Sequence, residues 1–293
     1  MHEVVTLQVG EAANYLGTHF WNAQESYFTY GAQQESAVNH DIHFRPGVGA
    51  DGSETFTPRT LIYDFKSRFG TLRRLNELYE IGADQQSEAL ANPVGALHSQ
   101  PQIPRHDYQR ALSEGAEPPQ LTSESIRYWS DINRVFYNPK SIAQIHEDQL
   151  GPQQTAFQDW GHGEELFANL SRQHDLLDDD LRPLIEECDQ MQGVQVLTTV
   201  DDGWGGFTSR YLDDLRDEYG KSCILVWALN GKPARVSLVS IIISAASAQL
   251  IICSLYEELP LQPRPARLQV CRHKPICMFL LLGALLQYRA PSS

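Results

Sequence analysis

The chain has 293 residues, 42% of them hydrophobic and 20% charged, the balance of a folded soluble protein with ample length for a core. Its formal net charge of −14 excludes a surface built to coat nucleic acid, because neutralising phosphates needs clustered Lys and Arg. That charge is uneven: residues 231–293 carry seven basic and two acidic residues, which leaves −19 on residues 1–230.

In chain order, VVTLQV (4–9) reads as a buried strand that ends at Gly10. From Glu11 the pattern turns helical, with Ala12, Leu16 and Phe20 on one face, and continues towards Tyr27. Residues 29–57 are rich in Gly, Gln and Ser and read as a loop. RTLIYDF (59–65) is a second strand candidate, and RFGTLRRLNELYEIG (68–82) a helix ending at Gly82. Residues 83–125, with repeated Pro, Gln and Ser, read as a long loop-rich insertion. The aromatic stretch IRYWSDINRVFYNPKSI (126–142) is expected to pack onto the body. Two helix-patterned stretches fill 159–192, followed by the strand VQVLTTV (194–200), the glycine-rich loop DDGWGGF (201–207), a helix (207–219) and the strand SCILVWAL (222–229). Phe207, Tyr211, Leu215 and Tyr219 share one face of that helix. Strands alternating with helices predict an α/β fold with a mainly parallel sheet.

Two strand–glycine–helix junctions have the layout of a phosphate-binding loop: Gly10 with the helix from Glu11, and DDGWGGF. Neither is a GxGxxG fingerprint, and no P-loop is present. A carboxylate about 4 Å from a phosphate oxygen is opposed by roughly 4 kcal/mol at an effective dielectric near 20, so Asp201 and Asp202 make a poor triphosphate cradle. Glu11, Asp64, Asp201 and Asp202 could together hold Mg²⁺, which favours carboxylate oxygens; the preferred reading is that the two aspartates cap the following helix. DWGHGEE (159–165) offers His162, Glu164 and Glu165 without HExxH spacing, and reads as a helix start. His40 and His43 flank Asp41 in a loop, a weak ligand pattern. Five cysteines, three of them in 231–293, suggest neither a disulfide framework nor a zinc site. No catalytic constellation and no metal site is expected.

These residues resemble a known family. MHEVVTLQVGEAANYLGTHFWN (1–22) is similar to the opening of tubulin, ETFTPRTLIYDF (54–65) to the tubulin segment with Pro-Arg before a strand ending in Asp, and EECDQMQGVQVLTTVDDGWGGFTSRYLDDLRDEYGK (186–221) to the stretch with the tubulin signature loop. Within that superfamily THFWNAQES (18–26), IRYWSDINRVFYNPKSI, IEECDQMQG (185–193) and DGWGGF (202–207) look like hallmarks of the divergent Misato family. The resemblance implies a tubulin-like N-terminal nucleotide-binding-type domain over residues 1–230, incomplete, with the insertion at about 83–125. It implies nucleotide loops at Gly10, Glu11, Asn14, Asp64, Gly203, Gly205 and Gly206. GTP with Mg²⁺ is the cofactor so implied. Against retention of nucleotide chemistry, Glu11 stands for a glutamine, Asp201 and Asp202 for glycines, Trp204 for threonine and Phe207 for the last glycine, and the superfamily's acidic hydrolysis loop is not found. Those loops therefore read as vestigial, and an enzyme is not expected.

What is known of the family implies a non-catalytic protein that partitions mitochondria and mitochondrial DNA and affects mitochondrial distribution and morphology. It also implies protein partners, a peripheral mitochondrial and cytoplasmic location without a cleavable presequence, and no direct nucleic-acid binding. The alternative is a GTP-binding, polymer-forming GTPase. After WAL (227–229) the likeness stops, so residues 231–293 read as a divergent tail, truncated or translated from an intron, since Gly231-Lys232 matches donor-like codons. Residues 236–256 hold 21 successive uncharged residues, so a genuine tail would suggest a membrane-attaching segment.

Overall fold

The computed structural model describes residues 2–29, 36, 38–49, 52–74, 76, 78–79, 103–122, 124–147 and 157–230, together with the backbone of 250–256 and 269–270. Strand β1 (Glu3–Val9) leads through Gly10 into helix α1 (Glu11–Glu25). An antiparallel hairpin follows, β2 (Phe44–Val48) with β3 (Glu54–Pro58), and then β4 (Thr60–Phe65). A short helix α2 (Asp107–Ser113) precedes β5 (Ile142–Ile145). Next come α3 (Trp160–Ser171), a π-helical turn (Leu176–Leu181) running into α4 (Arg182–Glu186), β6 (Met191–Thr199), α5 (Gly203–Glu218) and β7 (Cys223–Asn230). Strands β8 (Leu250–Tyr256) and β9 (Gln269–Val270) extend the sheet.

The sheet order is β5-β4-β1-β6-β7-β8-β9, parallel except for the β8–β9 pair. The fold is thus α/β with a mainly parallel sheet, as the alternation of apolar runs and helical patterns predicts. Successive strands move outward from β1 to β4 and β5, and the chain then returns to β6 on the other side of β1. Such a reversal opens a crevice at the carboxyl ends of the two central strands, where open α/β sheets bind their ligands. Gly10 follows β1 and residues 200–203 follow β6, so the topology brings both glycine-bearing junctions to that crevice.

Alternation along β1 decides what each face of the sheet buries. Val5, Leu7 and Val9 join Leu61, Tyr63 and Phe65 of β4 in a core beneath α3, the π-turn and α5. The opposite face is covered by α1 and the aromatic stretch, where Trp21, Ile62, Phe69, Trp129, Val135 and Tyr137 form a second core. Trp129, Val135 and Tyr137 of the aromatic stretch therefore do pack onto the body, while Phe136 stays exposed.

Several local expectations need correction. Residues 66–69 form a 3-10 turn, and the described part of 70–79 is not helical. Gly70 breaks the pattern at φ +55, and a Cβ there would meet the Tyr128 ring at 2.6 Å. The stretch read as a loop at 29–57 contains the β2–β3 hairpin, disguised by Pro46 and Gly47 within its first strand. The insertion contains α2; its residues 83–102 lie outside the described residues. Most of the uncharged run 236–256 also lies outside them, and its last seven residues are β8. Among the described residues, no helix is long and apolar enough to cross a membrane.

Candidate functional site at the switch point

On the α1 side of the crevice, a buried polar chain links the elements. Trp21 Nε1 donates to Gln8 Oε1 at 2.6 Å, and Gln8 Nε2 donates to Asn14 Oδ1 at 3.3 Å. Asn14 Nδ2 donates to Asp64 Oδ2 at 2.8 Å, which also accepts from Trp129 Nε1 at 3.2 Å, while Asp64 Oδ1 accepts from the Phe65 amide at 2.9 Å. Gln8, Asn14, Trp21, Asp64 and Trp129 are all fully buried. Burial pushes the Asp64 carboxyl up to about 7, against the opposing pull of the hydrogen bonds from Asn14 and Phe65. Gly17 faces the Gln8 amide so closely that no Cβ would fit, which lets α1 settle onto the sheet. Asn14 and Asp64, both expected at the site, are thus brought together, whereas Gln8 and Trp129 were missed. The signal for Gln8 is a lone amide in an otherwise apolar strand.

Gly10 is the N-cap of α1 at φ +89, and its N–H donates to Tyr63 O at 3.0 Å. A Cβ there would lie 2.5–2.9 Å from Cδ1, Cγ and Nε1 of Trp204, so glycine is required by backbone conformation and by the indole alike. Glu11 turns outward and pairs with Arg68 at 3.2 Å.

On the α5 side the crevice is aromatic. The Trp204 ring, 6% exposed, lies 4.8 Å from Phe65, 4.9 Å from Phe157 and 5.9 Å from Phe207, centroid to centroid. Phe65 and Phe157 meet edge to face at 5.1 Å. Helix α5 begins at Gly203, four residues before the expected start, so the glycines lie in its first turn and not in a loop. Asp202 is the N-cap: its Oδ1 accepts from the Gly205 amide at 3.2 Å and from Thr199 Oγ1 at 2.5 Å. Burial raises the Asp202 carboxyl above the ordinary range, partly offset by those same bonds. The capping reading holds for Asp202.

The glycines of this turn face helix α3. A Cβ at Gly206 would overlap Trp160 O, and one at Gly163 of α3 would overlap Gly203 O. At Gly205 it would meet Trp160 Cζ3 at 2.9 Å, and at Gly203 the Phe157 ring at 2.8 Å. Here the Gly-rich run permits two helices to cross at backbone contact. Gly163 and Phe157, the partners of that crossing, were not singled out by the sequence.

The four carboxylates considered for Mg²⁺ do not share a site, since Glu11 pairs with Arg68, Asp64 is bonded within the core and Asp202 caps α5. Among the described residues no group of three His, Cys, Asp or Glu side chains could hold a metal ion. His162 lies 3.9 Å from Asp159 and Glu164 pairs with Arg210 at 3.2 Å. His40 stacks on Phe28 at 3.7 Å, and His43 sits edge-on to Trp21, where burial lowers its imidazole to about 4.

Family comparison accounts for this architecture. Residues 2–114 match the Misato Segment II tubulin-like domain, and residues 118–260 match the Tubulin domain. Protein dml1 of Aspergillus oryzae is 56% identical over 232 residues, covering 79% of this chain and 47% of the relative. Protein dml-1 of Neurospora crassa is 57% identical, covering 78% and 42%, and Protein dml1 of Schizosaccharomyces pombe is 36% identical, covering 78% and 51%. The chain spans about half the length of these curated relatives. With consecutive segments of the fold matched from residue 2 to residue 260, the chain belongs to the Misato family, a divergent branch of the tubulin superfamily.

Proposed function

We propose that this chain is a non-catalytic tubulin-like protein that acts in partitioning mitochondria and in the inheritance of mitochondrial DNA, with a role in mitochondrial distribution and morphology. The observation that carries the non-catalytic part is the Trp204 indole seated against Gly10 in the switch-point crevice. A triphosphate in that crevice would have to displace a ring packed on Phe65, Phe157 and Phe207, and would meet the Asp202 cap. The residues present therefore do not fit GTP with Mg²⁺. Family membership supports the mitochondrial part, with action at the mitochondrial outer surface and in the cytoplasm through protein partners.

A GTP-binding, polymer-forming GTPase is the second reading, favoured by the retained Gly10 turn and the Asn14–Asp64 pair. The role itself is tested by depleting the protein in its own cells and following mitochondria and their DNA through division by microscopy. Uneven partitioning, rescued by the parent chain, is the expected result. Normal partitioning after depletion would contradict the role, and saturable GTP binding by the parent chain would favour the GTPase.

A further inference from the structure

At the amino ends of the central strands, opposite the crevice, one buried cation lacks a counter-ion. Arg59 leads into β4; its N–H donates to His43 O at 2.8 Å and its carbonyl accepts from the Thr6 amide at 2.9 Å, so its backbone is held on both sides. The side chain reaches the turn between α4 and β6, and the residue is 6% exposed. Its contacts there are weak. Nη1 lies 3.5 Å from Glu187 O and 3.8 Å from the Cys188 sulfur, and Nε is buried with no hydrogen-bond partner.

The acids of this corner are committed elsewhere. Glu187 Oε2 pairs with Arg45 at 2.6 Å, and its Oε1 lies 3.9 Å from Lys140. Glu3, buried and within the field of Arg59, accepts from the Gln190 amide at 2.9 Å. No carboxylate of the described residues forms an ion pair with Arg59. A guanidinium cannot shed its proton inside a protein, so a buried one is normally held by an anion. Here the nearest side chain is instead a thiol. Cys188 is free and partly exposed, and its Sγ donates to Leu184 O at 3.4 Å. Burial pushes the thiol above its ordinary range, with Arg59 opposing, so at rest it keeps its proton and offers no charge.

We propose that Cys188 is an oxidative modification site, converted by a hydroperoxide to a sulfinate that Arg59 takes as its counter-ion. The thiol gives its proton to solvent, and the thiolate sulfur attacks one peroxide oxygen: the S–O bond forms, the O–O bond breaks, and hydroxide leaves to be protonated to water. The sulfenic acid repeats the step on a second hydroperoxide, and the sulfinic acid so formed releases its proton. One thiol and two molecules of hydrogen peroxide thus yield one sulfinate, one proton and two waters, with four electrons passing from sulfur to the peroxides. Because Sγ already stands 3.8 Å from Nη1, an added oxygen comes within hydrogen-bond reach, and the guanidinium holds a two-oxygen anion as it would a carboxylate. The protonated resting thiol is slow to react; the unpaired cation beside it favours both the thiolate through which the reaction runs and its anionic product. The site lies at the far end of the strands from the crevice and needs neither reading of the nucleotide loops.

The test treats the full 293-residue chain with graded hydrogen peroxide and reads each cysteine by peptide mass spectrometry. Two added oxygens on Cys188, ahead of any on the partly exposed Cys223 of the same molecule, are the expected result. Arg59→Met should slow that oxidation about threefold or more. A second measurement needs no oxidant and no change at Arg59: Cys188→Asp, whose carboxylate stands in for the sulfinate, should melt at least about 2 °C above Cys188→Ser. In the Arg59→Met background that order should invert, because the carboxylate is then left without its guanidinium, a result that altered packing alone would not give. The proposal is overturned if Cys188 oxidises no faster than Cys223, if oxidation stops at one added oxygen or at a disulfide, or if Cys188→Asp melts no higher than Cys188→Ser. Should Arg59→Met fail to fold, the oxidation pattern and the Asp–Ser comparison decide the matter without it. Each of these outcomes leaves the partitioning test untouched.

Discussion

The two walls of the switch-point crevice keep one shape for different reasons. On the α1 wall, Gln8, Asn14 and Asp64 form a buried hydrogen-bonded chain that ends on Trp21 and Trp129. On the α5 wall, Trp204, Phe157, Phe65 and Phe207 form an aromatic cluster, and the glycines serve the crossing with α3. The polar wall retains residue types that the superfamily resemblance assigns to nucleotide loops, but uses them to fasten the aromatic stretch to the sheet. The apolar wall retains the glycines and has given their space to side chains and to a neighbouring helix. A glycine-rich turn at a switch point can thus be required by packing alone.

The largest effect should come from the helix crossing. Gly163→Ala puts a Cβ onto Gly203 O and is expected to cost about 4 kcal/mol or more, read by chemical denaturation. Gly161→Ala, two residues away with open space around it, should be neutral or stabilise by up to about 1 kcal/mol. Equal effects at the two positions would remove the packing explanation for the glycines. Trp204→Ala empties the centre of the aromatic wall and should cost about 3–5 kcal/mol without abolishing the sheet.

Asp64 sharpens the comparison through pH. Its folded carboxyl titrates near 7 against an ordinary value of 3.8, so its contribution to stability is fully present below about pH 4 and is lost as pH rises through 7. Over about three units that loss is on the order of 4 kcal/mol. His43, lowered to about 4, acts in the opposite sense: its stabilisation holds above its ordinary 6.5 and fades as pH falls through 4. The useful quantity is the difference between parent and Asp64→Asn in denaturant unfolding, which should shift in favour of the variant from pH 5 to 7.5. A difference that stays flat with pH would place Asp64 outside the buried chain. The smallest effect belongs to the exposed Glu11–Arg68 pair, where Arg68→Ala should cost less than about 1 kcal/mol.

Much of the fold was legible because parallel strands are buried on both faces and read as continuous apolar runs. VVTLQV, RTLIYDF, VQVLTTV and SCILVWAL fall on strands to within a residue at their ends, and α1 is a helix as expected, although its buried face runs through Ala13, Asn14, Gly17 and Trp21 and not through Ala12, Leu16 and Phe20. The β2–β3 hairpin was hidden because Pro46 and Gly47 interrupt a half-exposed strand whose stability comes from Phe44 packing on Trp21. The helix expected at 68–82 fits its apolar spacing, but Gly70 adopts a positive φ against Tyr128. The candidate site was legible in its residues and not in their use. Nothing local in DDGWGGF reveals that Gly206 faces Trp160 O or that Gly203 faces Gly163, about forty residues upstream. That information exists only once the sheet has brought the helices together.

The central claim is that the crevice keeps the turns of a nucleotide site while Trp204 and the α3 crossing have taken its space. Calorimetric titration of GTP with Mg²⁺ into the purified chain tests it most directly. The account predicts no saturable heat; saturable binding in the micromolar range would contradict it.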